Sequence, residues 1–192
     1  MKITLLRHAE VDENFIGCYN GHNSIGLSKK GHKQAENLAK KFYLPNFDAV
    51  FCSDLFRAKE TLKHFEHTED TIFSERLREK SWGKHEGLSF DEIIAQNEVK
   101  YIDFLQWIDA LDGEPYEEYI KRVEDFFMHF LPSLAKDKIL VVTHAGVIRV
   151  LISIVKNITL EEAFGIKIEH ASPIIFDSKY KNFTNGEKSE NI

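Results

Sequence analysis

The stretch KILVVTHAGVIRVLISIV, residues 138 to 155, constrains the fold more than any other part of the chain. Ile139, Leu140, Val141 and Val142 form an uncharged run without helical period, which reads as a strand buried on both faces. A His-Ala-Gly turn follows, and then Val147, Val150, Leu151 and Ile154 share one side of a helix. A buried strand running straight into a helix is the unit of a parallel sheet covered by helices.

The same alternation recurs along the chain. Ile3 to Leu6 is a short apolar strand, and Ala35, Leu38, Ala39 and Phe42 mark a helix from about Ser28 to Tyr43, ended by Pro45. Asp48 to Ser53 is the second strand, and Leu55, Ala58, Leu62 and Phe65 give one face of the next helix. Tyr119, Val123, Phe126 and Phe130 mark a further helix, stopped by Pro132, and Ser172 to Phe176 is the last strand. The polar tail from Lys179 is expected to fray. The fold expected is a three-layer α/β/α domain over residues 1–192 with a mainly parallel sheet.

One segment breaks the alternation. Ser89 and Glu92 fit a capping box, and beyond them Tyr101, Phe104, Leu105, Ile108 and Leu111 share a helix face until Asp112, Gly113 and Pro115 end it. With no strand of their own, residues 88–113 read as a helical cap inserted in the domain, against the alternative of two ordinary crossover helices. The five apolar residues are expected to form the cap's own core, with Trp107 on a flank.

The chain carries 31 acidic and 25 basic residues, a formal charge of −6, which argues against a nucleic-acid or polybasic membrane-binding role. No stretch approaches the ~20 apolar residues of a spanning helix. Cys18 and Cys52, without metal-like spacing, fit a reduced, cytoplasmic protein. His64 and His67 read as a solvated face, and the other histidines show no metal-ligand spacing, so no metal and no cofactor are expected.

Against that acidic background, cations gather at strand ends. Strand one ends in Arg7 and His8, strand two in Ser53 and Asp54 with Arg57 in the next helical turn, and the late strand in Thr143 and His144. In an open α/β sheet these ends share one edge, outside the carboxyl ends of the strands. Two guanidiniums, two imidazoles and a helix N-terminus around one point would repel one another without an anionic guest, and a phosphoryl group fits best. This logic leaves open which histidine does what.

The words LRHAE, SDLFRAKET, LREKSWGKHEG and VVTHAGVIR, in this order and spacing, resemble the histidine phosphatase superfamily in its phosphoglycerate-mutase-like branch. The resemblance implies that His8 is a nucleophile forming a phosphohistidine, and that Arg7, Arg57 and His144 bind the phosphoryl oxygens. It further implies that Asn14 contacts phosphate, that Asn20 and Gly21 lie on a substrate loop, and that Glu79 is the proton donor. By itself Glu79 belongs to the charge run Glu75 to Lys80, which usually means a solvated face; only the resemblance singles it out. Trp82, just after the acid, is a candidate to stack on a substrate ring.

Some positions depart from the family pattern. Ala9 replaces the usual glycine after the nucleophile, which is acceptable only if its φ is negative. The loop NGHNSIGLSKKG has Ser24 and Gly26 where Asp and Pro are common, so it gives little about substrate. It is also a near miss to a phosphate-cradling loop, with Leu27 at the essential lysine position. The cap is acidic and aromatic, with Lys100 its only cation, which favours a phosphatase of a small, less anionic phosphomonoester over a phosphoglycerate mutase. α-Ribazole 5′-phosphate and a broad set of esters are both compatible. A module that binds phosphate without turnover is the remaining alternative, weakened by the presence of His8 and Glu79. Oligomeric state is not readable from sequence.

Overall fold

The computed structural model describes residues 1–186. Six strands build one sheet: β1 (Lys2–Arg7), β2 (Ala49–Ser53), β3 (Ile72–Ser74), β4 (Lys138–Thr143), β5 (Pro173–Asp177) and β6 (Asn182–Asn185). Their order is β3-β2-β4-β1-β5-β6. The first four run parallel, while β5 and β6 are antiparallel to their neighbours. The helices are α1 (Lys29–Ala39), α2 (Phe56–Leu62), α3 (Phe90–Ala95), α4 (Phe104–Ala110), α5 (Tyr116–Glu124), α6 (Leu131–Ser133), α7 (Ala145–Lys156) and α8 (Leu160–Gly165).

Alternation of side chains along each strand divides the core into two layers. Ile3, Leu5, Phe51, Ile139 and Val141 pack with Tyr119, Val123, Val147 and Leu151 of α5 and α7. Leu6, Val50, Cys52, Leu140 and Val142 pack with Leu38, Ala58 and Leu62 of α1 and α2 on the other face. Strands with both faces covered need no polar positions, which is why they read as unbroken apolar runs.

Several expectations need correction. The first helix ends at Ala39, four residues early, and Pro45 starts a separate 3-10 turn. Pro132 does not stop the α5 helix: the chain widens into a π-helical stretch over Asp125–Phe130 and α6 continues through the proline. The widened turn redistributes the hydrogen bonds that a proline cannot make. β3 escaped the sequence reading because it is three residues long, with Ile72 and Phe73 exposed. The polar tail forms β6, where Phe183 is buried and stacks on Phe176 at 4.8 Å; residues 187–192 lie outside the described residues.

Between β3 and β4, α3 and α4 stand without a strand, and Ser89 with Glu92 makes the expected capping box. The cap's packing differs from the expectation. Tyr101 and Leu105 are exposed, while Ile108, Leu111 and Trp107 are buried. The cap helix is only seven residues long, so the face toward the body is set by Trp107 and not by the longer apolar periodicity. The Trp107 indole N–H donates to the Tyr19 hydroxyl at 2.7 Å, tying the cap to the loop that carries Asn20 and Gly21. Among the described residues, no helix is long and apolar enough to cross a membrane, and Cys18 and Cys52 are both free thiols.

Candidate active site

The register of the parallel strands brings three chain ends together. Arg7 pairs with Thr143 and Cys52 with Val142, so β1, β2 and β4 end level. The His8 N–H donates to the Thr143 carbonyl at 2.9 Å, and the His8 and His144 rings lie 5.1 Å apart. His144 caps α7 and its Nε2 hydrogen-bonds Ser53 Oγ at 2.8 Å. His8 Nδ1 lies 2.7 Å from the Ala9 carbonyl. A carbonyl only accepts, so Nδ1 carries the proton and Nε2 keeps its lone pair. Ala9 is buried, is not among the residues of positive φ, and donates its N–H to Thr61 Oγ1, so alanine meets the condition set for it.

Two guanidiniums flank the histidines. Arg57 is 1% exposed and donates to the carbonyls of Asn20, Gly21 and Asn23, pinning the loop on which Asn20 and Gly21 sit. Glu86 holds the loop from the opposite side, accepting from the N–H groups of Gly21 and His22 at 2.7 Å each. A Cβ on Gly21 would fall 2.2 Å from the Lys80 carbonyl, so only glycine fits this approach. Arg7 donates from Nη1 to the Ile168 carbonyl at 2.6 Å, while its buried Nε has no partner; nor has the buried His144 Nδ1. Buried polar atoms left unpaired among cations are what an oxyanion would satisfy.

Glu79 is positioned by contacts to the three residues before it. The Thr143 hydroxyl donates to the Leu77 carbonyl, and Arg122 donates to the carbonyls of Arg76 and Arg78 while pairing both oxygens of Glu114. The carboxylate that follows accepts from the Gly146 N–H at 2.9 Å, at the positive end of α7. The result is an open cleft of about 390 Å³ lined by Arg7, His8, Asn20, Glu79 and Trp82 among others.

Of the sequence-derived candidates, His144 and Arg57 lie behind the cleft floor, both fully buried. Asn14 is not brought in: it is exposed, and its Nδ2 donates to Asp12. Trp82 is mostly core, edge-on to Tyr19 at 5.1 Å with Lys80 Nζ over its ring, and one side of it faces the cleft. Sequence reasoning missed Arg149, His170, Tyr116 and Tyr119, which also line the cleft. Arg149 had a signal, since it lies in VVTHAGVIR one helical turn beyond Ala145. His170, in a loop with its ring 5.7 Å from His8, had none. Among the described residues no group of three or more His, Cys, Asp or Glu side chains is placed to hold a metal ion.

Electrostatics keep the imidazoles neutral. Burial first, then the charges of Arg57 and Arg7, hold His8 well below the ordinary histidine range. His144 is lowered by burial, then by Arg57 and His8, and His170 falls to about 4, by burial and Arg7. Burial lowers Arg7 and Arg57 to about 10, so both remain cationic at neutral pH. A stability consequence follows. The unfolded histidines take up protons below about pH 6.5 while the native ones do not, so stability falls as pH drops from there toward the native values. His8 and His144 can each remove up to ~1.4 kcal/mol per pH unit in that window. We expect the melting temperature to fall between pH 7 and 5.5 and to be largely restored by vanadate or phosphate; a flat profile would contradict the neutral-histidine floor.

The sequence model of the histidine phosphatase superfamily (branch 1) matches residues 3–187. The chain belongs to the histidine phosphatase superfamily. Relatives within it include an adenosylcobalamin/alpha-ribazole phosphatase of Escherichia coli, 28% identical over 181 residues, covering 88% of this chain and 86% of that protein. A 2,3-bisphosphoglycerate-dependent phosphoglycerate mutase of Gloeobacter violaceus is 24% identical over 187 residues, covering 91% and 84%. The crystal structure of the alpha-ribazole phosphatase from Shigella flexneri superposes with a TM-score of 0.81 at 26% identity, covering 96% of this chain and 94% of that one. The chain is thus an enzyme of the phosphatase or mutase type.

Proposed function

We propose that the protein is a phosphatase that hydrolyses a small phosphomonoester through a phosphohistidine on His8, with Glu79 as proton donor. One observation carries this reading: His8 Nδ1 is tied to the Ala9 carbonyl, which leaves an unprotonated Nε2 in the cleft beside Arg7, with Arg57 and His144 buried behind the floor. A phosphoryl group in transfer needs positioning and charge stabilisation more than covalent help, and the two arginines with His144 supply both. Attack by Nε2 forms the N–P bond as the ester P–O bond breaks, and the Glu79 proton goes to the leaving oxygen. Water then attacks phosphorus, its proton passes to Glu79, and the N–P bond breaks. Arg57 does double duty, since the loop it pins carries Asn20 beside the cleft.

The outer walls support a substrate with an apolar or ring-bearing alcohol. Phe15, Tyr19, Trp82, Phe90 and Phe164 line the cleft, offering stiff contact surface at low entropy cost. α-Ribazole 5′-phosphate fits that description, and the Escherichia coli and Shigella flexneri relatives are named an adenosylcobalamin/alpha-ribazole phosphatase and an alpha-ribazole phosphatase. The mutase reading has one observation in its favour, the Arg149 cation in the cleft, which could hold a second anionic group. A panel of phosphomonoesters separates the two. We expect nucleoside-like and aryl esters to exceed 3-phosphoglycerate in kcat/KM by at least ~10-fold, the worth of one stacked ring. Mutase turnover with 2,3-bisphosphoglycerate, or 3-phosphoglycerate as the best substrate, would replace the phosphatase reading.

A further inference from the structure

Helix α5 begins at the cleft and turns Tyr119 toward Glu79. Tyr119 is 1% exposed in a position whose helical period asks only for an apolar side chain. A buried tyrosine needs a partner for its hydroxyl. Tyr119 finds it in Glu79 Oε1, 2.5 Å away, while the Gly146 N–H serves Oε2. Burial, then the Glu79 charge, pushes the Tyr119 phenol well above its ordinary range, so it stays protonated and can only share its proton.

A second observation is independent of that bond. A Cβ on Gly146 would lie 2.2 Å from Glu79 Oε1 and 2.8 Å from the Tyr119 hydroxyl. The first turn of α7 therefore has glycine where the carboxylate and the phenol meet. Arg122, one turn beyond Tyr119 on α5, holds the carbonyls of Arg76 and Arg78 at 2.9 Å each, so the acid's segment and the tyrosine's helix are fixed to one another.

We infer that Tyr119 is a positioning residue for the proton donor: its hydroxyl, opposite the Gly146 amide, sets where the Glu79 carboxyl group stands. This rests on the reading of Glu79 as the acid. When Glu79 gives its proton to the leaving oxygen, the new carboxylate accepts the Tyr119 O–H. When water later protonates Glu79, the phenol can rotate to accept from the carboxyl group. No proton leaves Tyr119 in either half-reaction, so the cycle stays balanced with Glu79 as the only carrier.

The test measures kcat/KM, which reports steps through phosphoryl transfer to His8, for 2-phenylethyl phosphate and 4-nitrophenyl phosphate. The alkyl ester needs a proton on its leaving oxygen; the nitrophenyl ester hardly does. Tyr119→Phe is expected to lower kcat/KM on the alkyl ester roughly 10-fold, the worth of one hydrogen bond of ~1.4 kcal/mol, and on the nitrophenyl ester by no more than about twofold. In a Glu79→Gln background Tyr119→Phe should cost no more than about twofold further on either ester, because the two act as one unit. Gly146→Ala, whose Cβ would crowd the carboxylate and the phenol where they meet, should reproduce the same asymmetry. Equal losses on both esters, or full additivity with Glu79→Gln, would overturn the role of Tyr119 and leave the acid standing. If Glu79→Gln itself shows no leaving-group asymmetry, the acid assignment falls and the Tyr119 inference falls with it.

Discussion

Replacing His8 with alanine is expected to abolish turnover, lowering kcat by at least ~10⁴-fold on every ester, while leaving the protein folded. Loss of a nucleophile removes the covalent route altogether. The remaining arginines would still bind phosphate but would have only water to present to it. The fold should tolerate the change because, among the described residues, the side-chain hydrogen bond of His8 goes to its own neighbour, the Ala9 carbonyl. Stability gives a built-in control. His8 is held neutral in the native state, so removing it removes one suppressed protonation site, and the variant should lose less stability than the parent on going from pH 7 to 5.5. Activity and acid sensitivity measured side by side then separate a missing nucleophile from a damaged fold.

Glu79→Gln is expected to lower the rate on alkyl phosphates by roughly 10²- to 10⁴-fold, the usual contribution of general acid–base catalysis. The same change should matter far less for 4-nitrophenyl phosphate. Glutamine keeps the shape but brings an amide N–H₂ to a site that already has two donors, the Tyr119 hydroxyl and the Gly146 N–H. One of them must go unpaired, so a stability loss of about 1 kcal/mol should accompany the kinetic one. Steady-state rates on the two esters, with a denaturation curve, check both numbers. An equal loss on both esters would make Glu79 a structural residue.

Much of the candidate site's placement was legible in the sequence, for a reason visible in particular residues. Arg7, His8, Arg57 and His144 each follow a short apolar run within a few positions, and parallel strands must deliver such ends to one edge. Position in the chain therefore stood in for position in space. The elements that went unread are those whose local signal is weak. β3 is three residues with exposed side chains, and β6 is polar except for Phe183. Both exist because a neighbouring strand edge supplies their hydrogen bonds, which no local propensity records.

The cap shows the opposite failure, a strong local pattern overruled by tertiary contact. Tyr101 fits the helical period yet lies before α4 begins, and Leu105 faces outward because the bond from Trp107 to Tyr19 fixes which side of α4 meets the body. Tyr119 was legible as a core residue but not as a partner of Glu79. Hydrophobic periodicity identifies a buried face and is silent about a hydroxyl at its end.

The central claim, a phosphoenzyme on His8, is tested most directly by trapping it. Enzyme mixed with excess 4-nitrophenyl phosphate is quenched in alkali within the first turnovers, digested, and the phosphorylated peptide mapped. The account predicts an acid-labile, base-stable phosphate on the His8 ring, at Nε2, absent from His8→Ala. Phosphate on Ser53, Asp54 or His144 instead, with His8 unmodified, would contradict it.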